Sequence, residues 1–487
     1  MQRFQTYPPA REKLGPFPLG IDFISNDYTT TVNGAECPVR VCRVSAMPFN
    51  RVWPQKQRSI EQTELNSVIF IESDESVDFR IKPNFAFEKA VLRPLTTKII
   101  PAITHEKSIE FTIPEPGYYV LEVDGEHCAL HIFIEPVRDF PEQQEATVVF
   151  GPGVHFANSV QLKDNDRVYL HRDAIVYGSF HGNNVKNVRI FGYGTIDNGI
   201  FERVLGDCYS PLQNPDMLFF NSSDIEIDGV TLMNSSNWCL AFFNCTDIRV
   251  RNVKIVGQWR YNTDGIDLVN CSRGLVEHCF VRSFDDTIVI KGIPEFQTSP
   301  VSDIEVKDCV LWCGWGRTCE IGLETWASDF RNVRFSHCSL IRNSAVALDV
   351  NHGGTGRVHD ITFEDLDIEY QTDTMPEIYQ DSDDMEYKPL EMGVPLLIGC
   401  QNGKFVNFHE PCGTMDHIFF RDIRVYAETG VPEHLPVRIV SRPQTEADTV
   451  APEYGLISME NITVNGMAAT FDMETTPEAI GNLVLRH

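Results

Sequence analysis

Three carboxylates stand close together in two short stretches of this chain, Asn262-Thr263-Asp264-Gly265-Ile266-Asp267 and Phe284-Asp285-Asp286-Thr287-Ile288-Val289-Ile290-Lys291. Asp264 and Asp286 are separated by about 22 residues, the length of one coil in a parallel β-helix solenoid. Residues one coil apart lie over each other at roughly 4.8 Å, so Asp264 can meet the Asp285–Asp286 pair on one outer face. Carboxyl groups flanking a sugar bond are what glycoside hydrolysis requires. One protonates the leaving oxygen while another activates a water about 6.5–9.5 Å away, with inversion at the anomeric carbon. Like charges this close resist joint ionisation, so at least one of the three pKa values is expected to rise. Neighbouring residues of a regular strand point to opposite faces. The chain must therefore bend or bulge at Asp285–Asp286 for both to face a groove. Taken separately, each stretch reads more readily as an Asp-rich turn or a Ca²⁺ ligand than as a catalytic site; the shared register joins them.

The elements that must position these carboxylates recur along the chain. A pattern of alternating apolar residues begins at Ile225, Ile248, Gly274, Ile304, Val333, Ile361, Ile418 and Ile457. Most starts are about 23 to 30 residues apart, which suits single coils with variable loops and is shorter than a β-propeller blade. The longest gap, from Ile361 to Ile418, fits either two coils or one coil with a long insertion. Alternating apolar side chains face the solenoid core and the intervening charges face out. Asn221, Asn244 and Asn270 fall at corners, where Asn suits tight bends and can stack coil upon coil. The fold class is therefore all-β: a right-handed parallel β-helix over residues 148–487 preceded by an N-terminal domain. Residues 1–137 read as an immunoglobulin-like β-sandwich, from apolar runs such as 67–71, 77–81, 108–113, 118–123 and 129–134 separated by turn signals. The polar stretch 138–147, which contains Pro141, is expected to be a linker.

Composition narrows the partners. The chain has 487 residues, 42% hydrophobic and 23% charged, with a net charge of −28. That charge argues against nucleic acid and against acidic lipid surfaces, since both need clustered Lys and Arg. No apolar leader follows Met1 and no apolar run is long enough to cross a membrane, so a cytoplasmic protein is expected, or a secreted one if the N-terminus was trimmed. Of the 14 cysteines, Cys271, Cys279, Cys309 and Cys338 fall within the repeats, where reduced Cys serves as a small buried hydrophobe. Without a CxxC pair, structural zinc is not expected, and no metal or cofactor is called for. The expected partner is an oligosaccharide or polysaccharide; oligomeric state is not legible.

The segment from Asn262 to Gly292 resembles the catalytic coils of the polygalacturonase-like clan of inverting glycoside hydrolases, all right-handed β-helices, across residues 148 to about 370. The resemblance implies that Asp285 is the general acid, that Asp264 and Asp286 position and activate the water, and that Lys291 matches a lysine common after the paired Asp. Polygalacturonases follow the pair with Gly-His-Gly, where this chain has Gly314-Trp315-Gly316. One coil later they carry Arg-x-Lys for the uronate carboxylate, where this chain has Asp349, Asn351 and His352. An Asp there repels a carboxylate that Arg or Lys would bind. The sandwich-plus-helix architecture is closer to the dextranase/isopullulanase family, which implies a neutral α-glucan. Alternatives are a galacturonate-type pectin hydrolase, a β-helix lyase or epimerase, and a non-catalytic carbohydrate-binding solenoid. Around the three Asp, Trp259, Trp312, Trp315 and Trp326 are candidates for stacking on sugar faces, and Arg317, Glu320, Glu324, Asp349 and His352 for bonding hydroxyls. The inserted loop 371–392, with its acidic run 377–386, is placed to close one end of the groove or to remain solvated.

Overall fold

The computed structural model describes residues 24–45, 60, 63–204, 213–373, 394–402, 413–443 and 451–486, with short strands also at Gln5–Thr6, Ile378–Tyr379 and Lys388–Pro389. Most of the loop 371–392 and of its acidic run therefore lies outside the described residues.

From Val148 onward the chain winds into a succession of parallel strands, each pairing with the strand one coil further on. The repeat positions are in strict register. Ile225 pairs with Ile248, Ile248 with Gly274, Gly274 with Ile304, Ile304 with Val333, and Val333 with Ile361. Ile361 then pairs directly with Ile418, and Ile418 with Ile457. The longest gap is thus one coil carrying an insertion. Burial explains the pattern: Ile225, Ile248, Ile304, Val333, Ile361, Ile418 and Ile457 all lie in one continuous core. Each such side chain stabilises the fold by about 1.5–3 kcal/mol. Cys279, Cys309 and Cys338 belong to the same core, and no cysteine among the described residues forms a disulfide.

The corners use Asn because the chain there enters the left-handed region, with φ 48° at Asn221, 52° at Asn244 and 51° at Asn270. A short polar side chain tolerates that conformation better than a branched one. The Asn244 amide also donates to Asn221 Oδ1 of the preceding coil at 2.7 Å.

The N-terminal region forms two sheets, one of six strands and one of five. The expected apolar runs fall in strands Thr63–Glu72, Val77–Pro83, Ile109–Ile113, Gly117–Val123 and Leu130–Glu135. Their inward faces meet in a core that includes Ile69, Ile71, Val77, Ile81, Leu121 and Ile132. The outer face of the six-stranded sheet is also apolar. Val68, Val120 and Phe133 pack against Val256, Phe280, Trp312 and Ile341 of the β-helix. Residues 138–147 are a docked connection and not a loose one. Phe140 sits among Tyr169, Phe191 and Tyr193, and Arg138 pairs with Asp228 at 2.9 Å.

Candidate active site

One face of the solenoid carries strands Ile266–Val269, Ile288–Gly292, Arg317–Thr325 and Val346–His352. The chemistry-bearing residues stand at the turns that lead into them. Ile266 pairs with Ile288, and the Gly265 amide donates to the Asp286 carbonyl at 2.8 Å. This register sets Asp264 directly over Asp286. The turn before Ile288 is bent: Ser283 Oγ donates to the Asp285 carbonyl at 2.6 Å, and the Asp286 amide donates to Asp285 Oδ1 at 3.1 Å. The bend lets two consecutive Asp residues share one side of the chain.

Gly316 makes the turn possible from the next coil. A Cβ on it would stand 2.4 Å from Asp286 Oδ1 and 2.7 Å from Asp285 Oδ1. Its neighbour Arg317 donates its backbone N–H to Asp286 Oδ1 at 2.9 Å and brings its guanidinium to 3.8 Å from the same oxygen.

Lys291 binds the carboxylates together. Its Nζ lies 2.8 Å from Asp264 Oδ2, 3.0 Å from Asp267 Oδ1 and 3.9 Å from Asp286 Oδ2. It also sits 3.8 Å from the centroid of the Trp238 ring, a cation–π contact strengthened by desolvation. All of these side chains are buried. Burial pushes the Asp264 carboxyl up to about 7, with Lys291 opposing the rise and Asp286 and Glu324 adding to it. Burial, reinforced by Asp264 and Asp286, holds Asp285 well above the usual carboxylate range. Asp267 is raised by burial in the same way. The site thus contains a carboxyl that stays protonated beside carboxylates held by cations, the division of labour that acid and base roles need.

The following coils bring a second pair of acids alongside. Glu320 pairs in register with Asp349, and Arg317 Nε lies 4.0 Å from Glu320 Oε1 and 3.8 Å from Asp349 Oδ2. Burial pushes Asp349 up to about 7 and raises Glu320 as well, with Asp286 adding to both.

The tryptophans are packed more deeply than stacking platforms would be. Trp315 lies against Phe284 with ring centroids 5.5 Å apart. Trp259 donates Nε1 to Asn234 Oδ1 at 3.3 Å and carries the Arg260 guanidinium over its ring. Trp326 is buried. Trp312 lies in the interface with the sandwich, with the Arg282 guanidinium 3.7 Å from its ring centroid. His352 is buried, bonds Thr325 Oγ1 through Nδ1 at 2.6 Å, and is pushed down to about 4 by burial.

Two participants escaped the sequence reading. Asp267 had a signal: it lies between core residues Ile266 and Leu268 and so must face outward beside Asp264. Trp238 had none, because its contact with Lys291 depends on how a corner two coils earlier folds.

Residues 143–385 match the family model Glycosyl hydrolases family 28. A Polygalacturonase from Chamaecyparis obtusa is 28% identical over 154 residues, 30% of this chain and 28% of that protein. A Probable polygalacturonase from Vitis vinifera is 23% identical over 280 residues, 49% of this chain and 57% of that protein. The chain therefore spans well under two thirds of the length of these curated relatives. Among solved structures, Dex49A from Penicillium minioluteum superposes with a TM-score of 0.65 at 14% identity, over 99% of this chain and 98% of that one. That likeness is one of fold.

Proposed function

This chain is a glycoside hydrolase whose residues 143–385 form a glycosyl hydrolases family 28 domain, and on that premise we propose that it cleaves a neutral oligo- or polysaccharide with inversion, using Asp264, Asp285 and Asp286. The observation that carries the reading is the stacking of Asp264 over Asp286, with Lys291 Nζ at 2.8 Å and 3.9 Å from their carboxylates. Asp285, held protonated by burial among like charges, gives its proton to the leaving oxygen as the glycosidic C–O bond breaks. A water held by Asp264 and Asp286 loses a proton to this pair as it attacks the anomeric carbon from the opposite face. No metal or cofactor enters these steps.

The neutral substrate rests on what surrounds the reacting centre. Asp349 stands where the resembled galacturonate hydrolases carry a basic residue, so this coil offers no side-chain cation at that position for a uronate carboxylate. We infer an α-glucan, such as a dextran- or pullulan-derived oligosaccharide, supported by the family resemblance of the sandwich-plus-helix architecture. A second reading, a pectin-type galacturonan hydrolase, is favoured by the names of the curated relatives. It would rely on Arg317 as the cation for the carboxylate.

A reducing-sugar assay on dextran, pullulan and polygalacturonate oligomers separates the two, and NMR of the first-formed anomer tests the mechanism. Retained configuration would reject it. Asp285→Asn is expected to lower kcat at least a hundredfold, in line with the loss of a general acid, and a variant of unchanged rate would remove Asp285 from that role.

A further inference from the structure

Arg317 opens the strand one coil beyond the Asp285–Asp286 turn, and its backbone is tied to that turn on both sides. The Thr287 amide donates to the Arg317 carbonyl at 2.8 Å, and the Arg317 amide donates to Asp286 Oδ1 at 2.9 Å. The guanidinium reaches back over the same turn, with Nη1 3.8 Å from Asp286 Oδ1. Its Nε faces two further acids of the chain, 4.0 Å from Glu320 Oε1 and 3.8 Å from Asp349 Oδ2.

The strand that follows explains the arrangement. Cys319 and Ile321 enter the core, so Glu320 between them faces outward, and its register partner Asp349 stands beside it one coil later. Both acids are buried, and buried carboxyl groups side by side are costly without a cation. Arg317 supplies one within 4.0 Å of each. Burial works against the guanidinium charge, but Glu320, Asp286 and Asp349 outweigh it and hold the group well above its usual range. A substrate carboxylate approaching Arg317 would meet three carboxyl groups that already face the same cation.

We propose that Glu320 and Asp349 hold Arg317 in place and that Arg317 in turn positions the Asp286 carboxylate toward the attacking water. Arg317 is on this account a positioning residue and not a ligand for a uronate. The inference rests on the glycoside-hydrolase reading of Asp264, Asp285 and Asp286. A reacting group keeps its geometry when the residues around it are themselves locked by neighbours, and the planar guanidinium fork suits that task better than a flexible ammonium. The proposal also gives Asp349, an acid where the resembled galacturonate hydrolases carry a base, a partner inside the protein.

The test takes whichever of the dextran, pullulan and polygalacturonate oligomers the wild type cleaves fastest and measures kcat and KM separately. Arg317→Met should lower kcat by about ten- to a hundredfold, the loss that a misplaced reacting group carries, while KM changes by less than about threefold. Arg317→Lys, which keeps the charge without the fork, should recover part of that loss. Asp349→Asn should lower kcat by a smaller factor. The double variant Arg317→Met/Asp349→Asn should be no slower than Arg317→Met, because Asp349 acts through the arginine. Thermal melts check that each variant is folded. A raised KM with unaltered kcat in Arg317→Met overturns the proposal and makes the arginine a substrate ligand. Losses that multiply in the double variant overturn it too, as does an unaltered kcat in Asp349→Asn, whether or not Arg317→Met folds. Cleavage of polygalacturonate alone overturns the neutral-substrate reading, and the same variants on that substrate still decide the role of Arg317. No turnover of any of these glycans by the wild type overturns both.

Discussion

Lys291 is the cation closest to the carboxylates of the candidate site. It faces Asp264, Asp267, Asp286 and Glu324, and its Nζ bonds Asp264 directly at 2.8 Å. Burial alone would push Asp264 far up; Lys291 limits the rise to about 7. On the proposed mechanism water activation needs Asp264 deprotonated, so the acid limb of the pH–rate profile is expected to follow that group. Lys291→Met removes the opposing charge, and the acid limb should move to higher pH by about one to three units. Lys291→Arg keeps the charge and should leave the limb nearer its original position. A rate that falls equally at all pH values in Lys291→Met would make the lysine a packing residue only. The register of Asp264 with the Asp285–Asp286 pair was legible in the sequence because the spacing equals a coil, whereas Lys291 was read only from the family resemblance. Trp238 was not, because side-chain contacts across a corner depend on loop geometry that no periodicity encodes.

At the level of the elements, the turn 284–287 is shaped by a neighbour in the next coil as much as by its own residues. Gly316 packs its backbone against the Asp pair, and any side chain there would enter the space of Asp286 Oδ1 and the Asp286 amide, 2.4 Å and 2.5 Å from a Cβ. Gly316→Ala should therefore shift both carboxyl groups. Activity is expected to fall about a hundredfold, since displacements of about 1 Å carry losses of that size, while overpacking lowers stability by about 1–3 kcal/mol. Steady-state kinetics beside a urea melt decide the matter: near-normal kcat in a folded variant would show that the turn adjusts at little cost. The same coil-to-coil dependence explains which elements could be read in advance. The repeat positions from Ile225 to Ile457 were visible because every coil buries the same row, and burial enforces one apolar pattern. The interval from Ile361 to Ile418 was ambiguous, because length alone cannot separate two coils from one coil with an insertion; direct pairing of the two residues resolves it.

Across the whole molecule, the sandwich is fastened to the β-helix by buried charge as well as by apolar packing. Glu122 of the sandwich accepts Arg342 of the helix at 2.5 Å and 3.0 Å and lies 2.7 Å from Arg93 of its own sheet. Arg93 in turn pairs with Glu369 of the helix, and Lys254 of the helix with Glu135 of the sandwich. Arg282 of the helix donates to Asn66 Oδ1 at 2.6 Å and lies 3.1 Å from His131 Nε2. None of these cross-domain pairings was legible, since charged residues on strands read as solvated faces until two faces meet. Glu122 and His131 make this interface acid-sensitive, against Glu369 and Glu135, which burial raises, Glu369 to about 7. Burial would raise Glu122, but Arg342 and Arg93 outweigh it and bring the carboxyl down to about 2. A free glutamate titrates near 4.3, so the unfolded chain takes up a proton before the folded one. The resulting stability, about 3 kcal/mol, is present above pH ~4.3 and is lost as pH falls toward 2. His131 is pushed down to about 3 by burial first and by Arg282 next, against about 6.5 when unfolded. Its contribution fades as pH falls below ~6.5. The contributions of these two groups therefore both weaken with falling pH, that of His131 below pH ~6.5 and that of Glu122 below pH ~4.3. Glu122→Gln leaves two guanidinium groups buried beside a neutral amide and should cost about 3–5 kcal/mol at pH 7. It should also flatten the slope below pH ~4.3, because the titrating group is gone. Melts of both proteins across this range, followed by circular dichroism, provide the measurement. An unchanged acid slope in Glu122→Gln would show that the interface does not depend on this carboxylate.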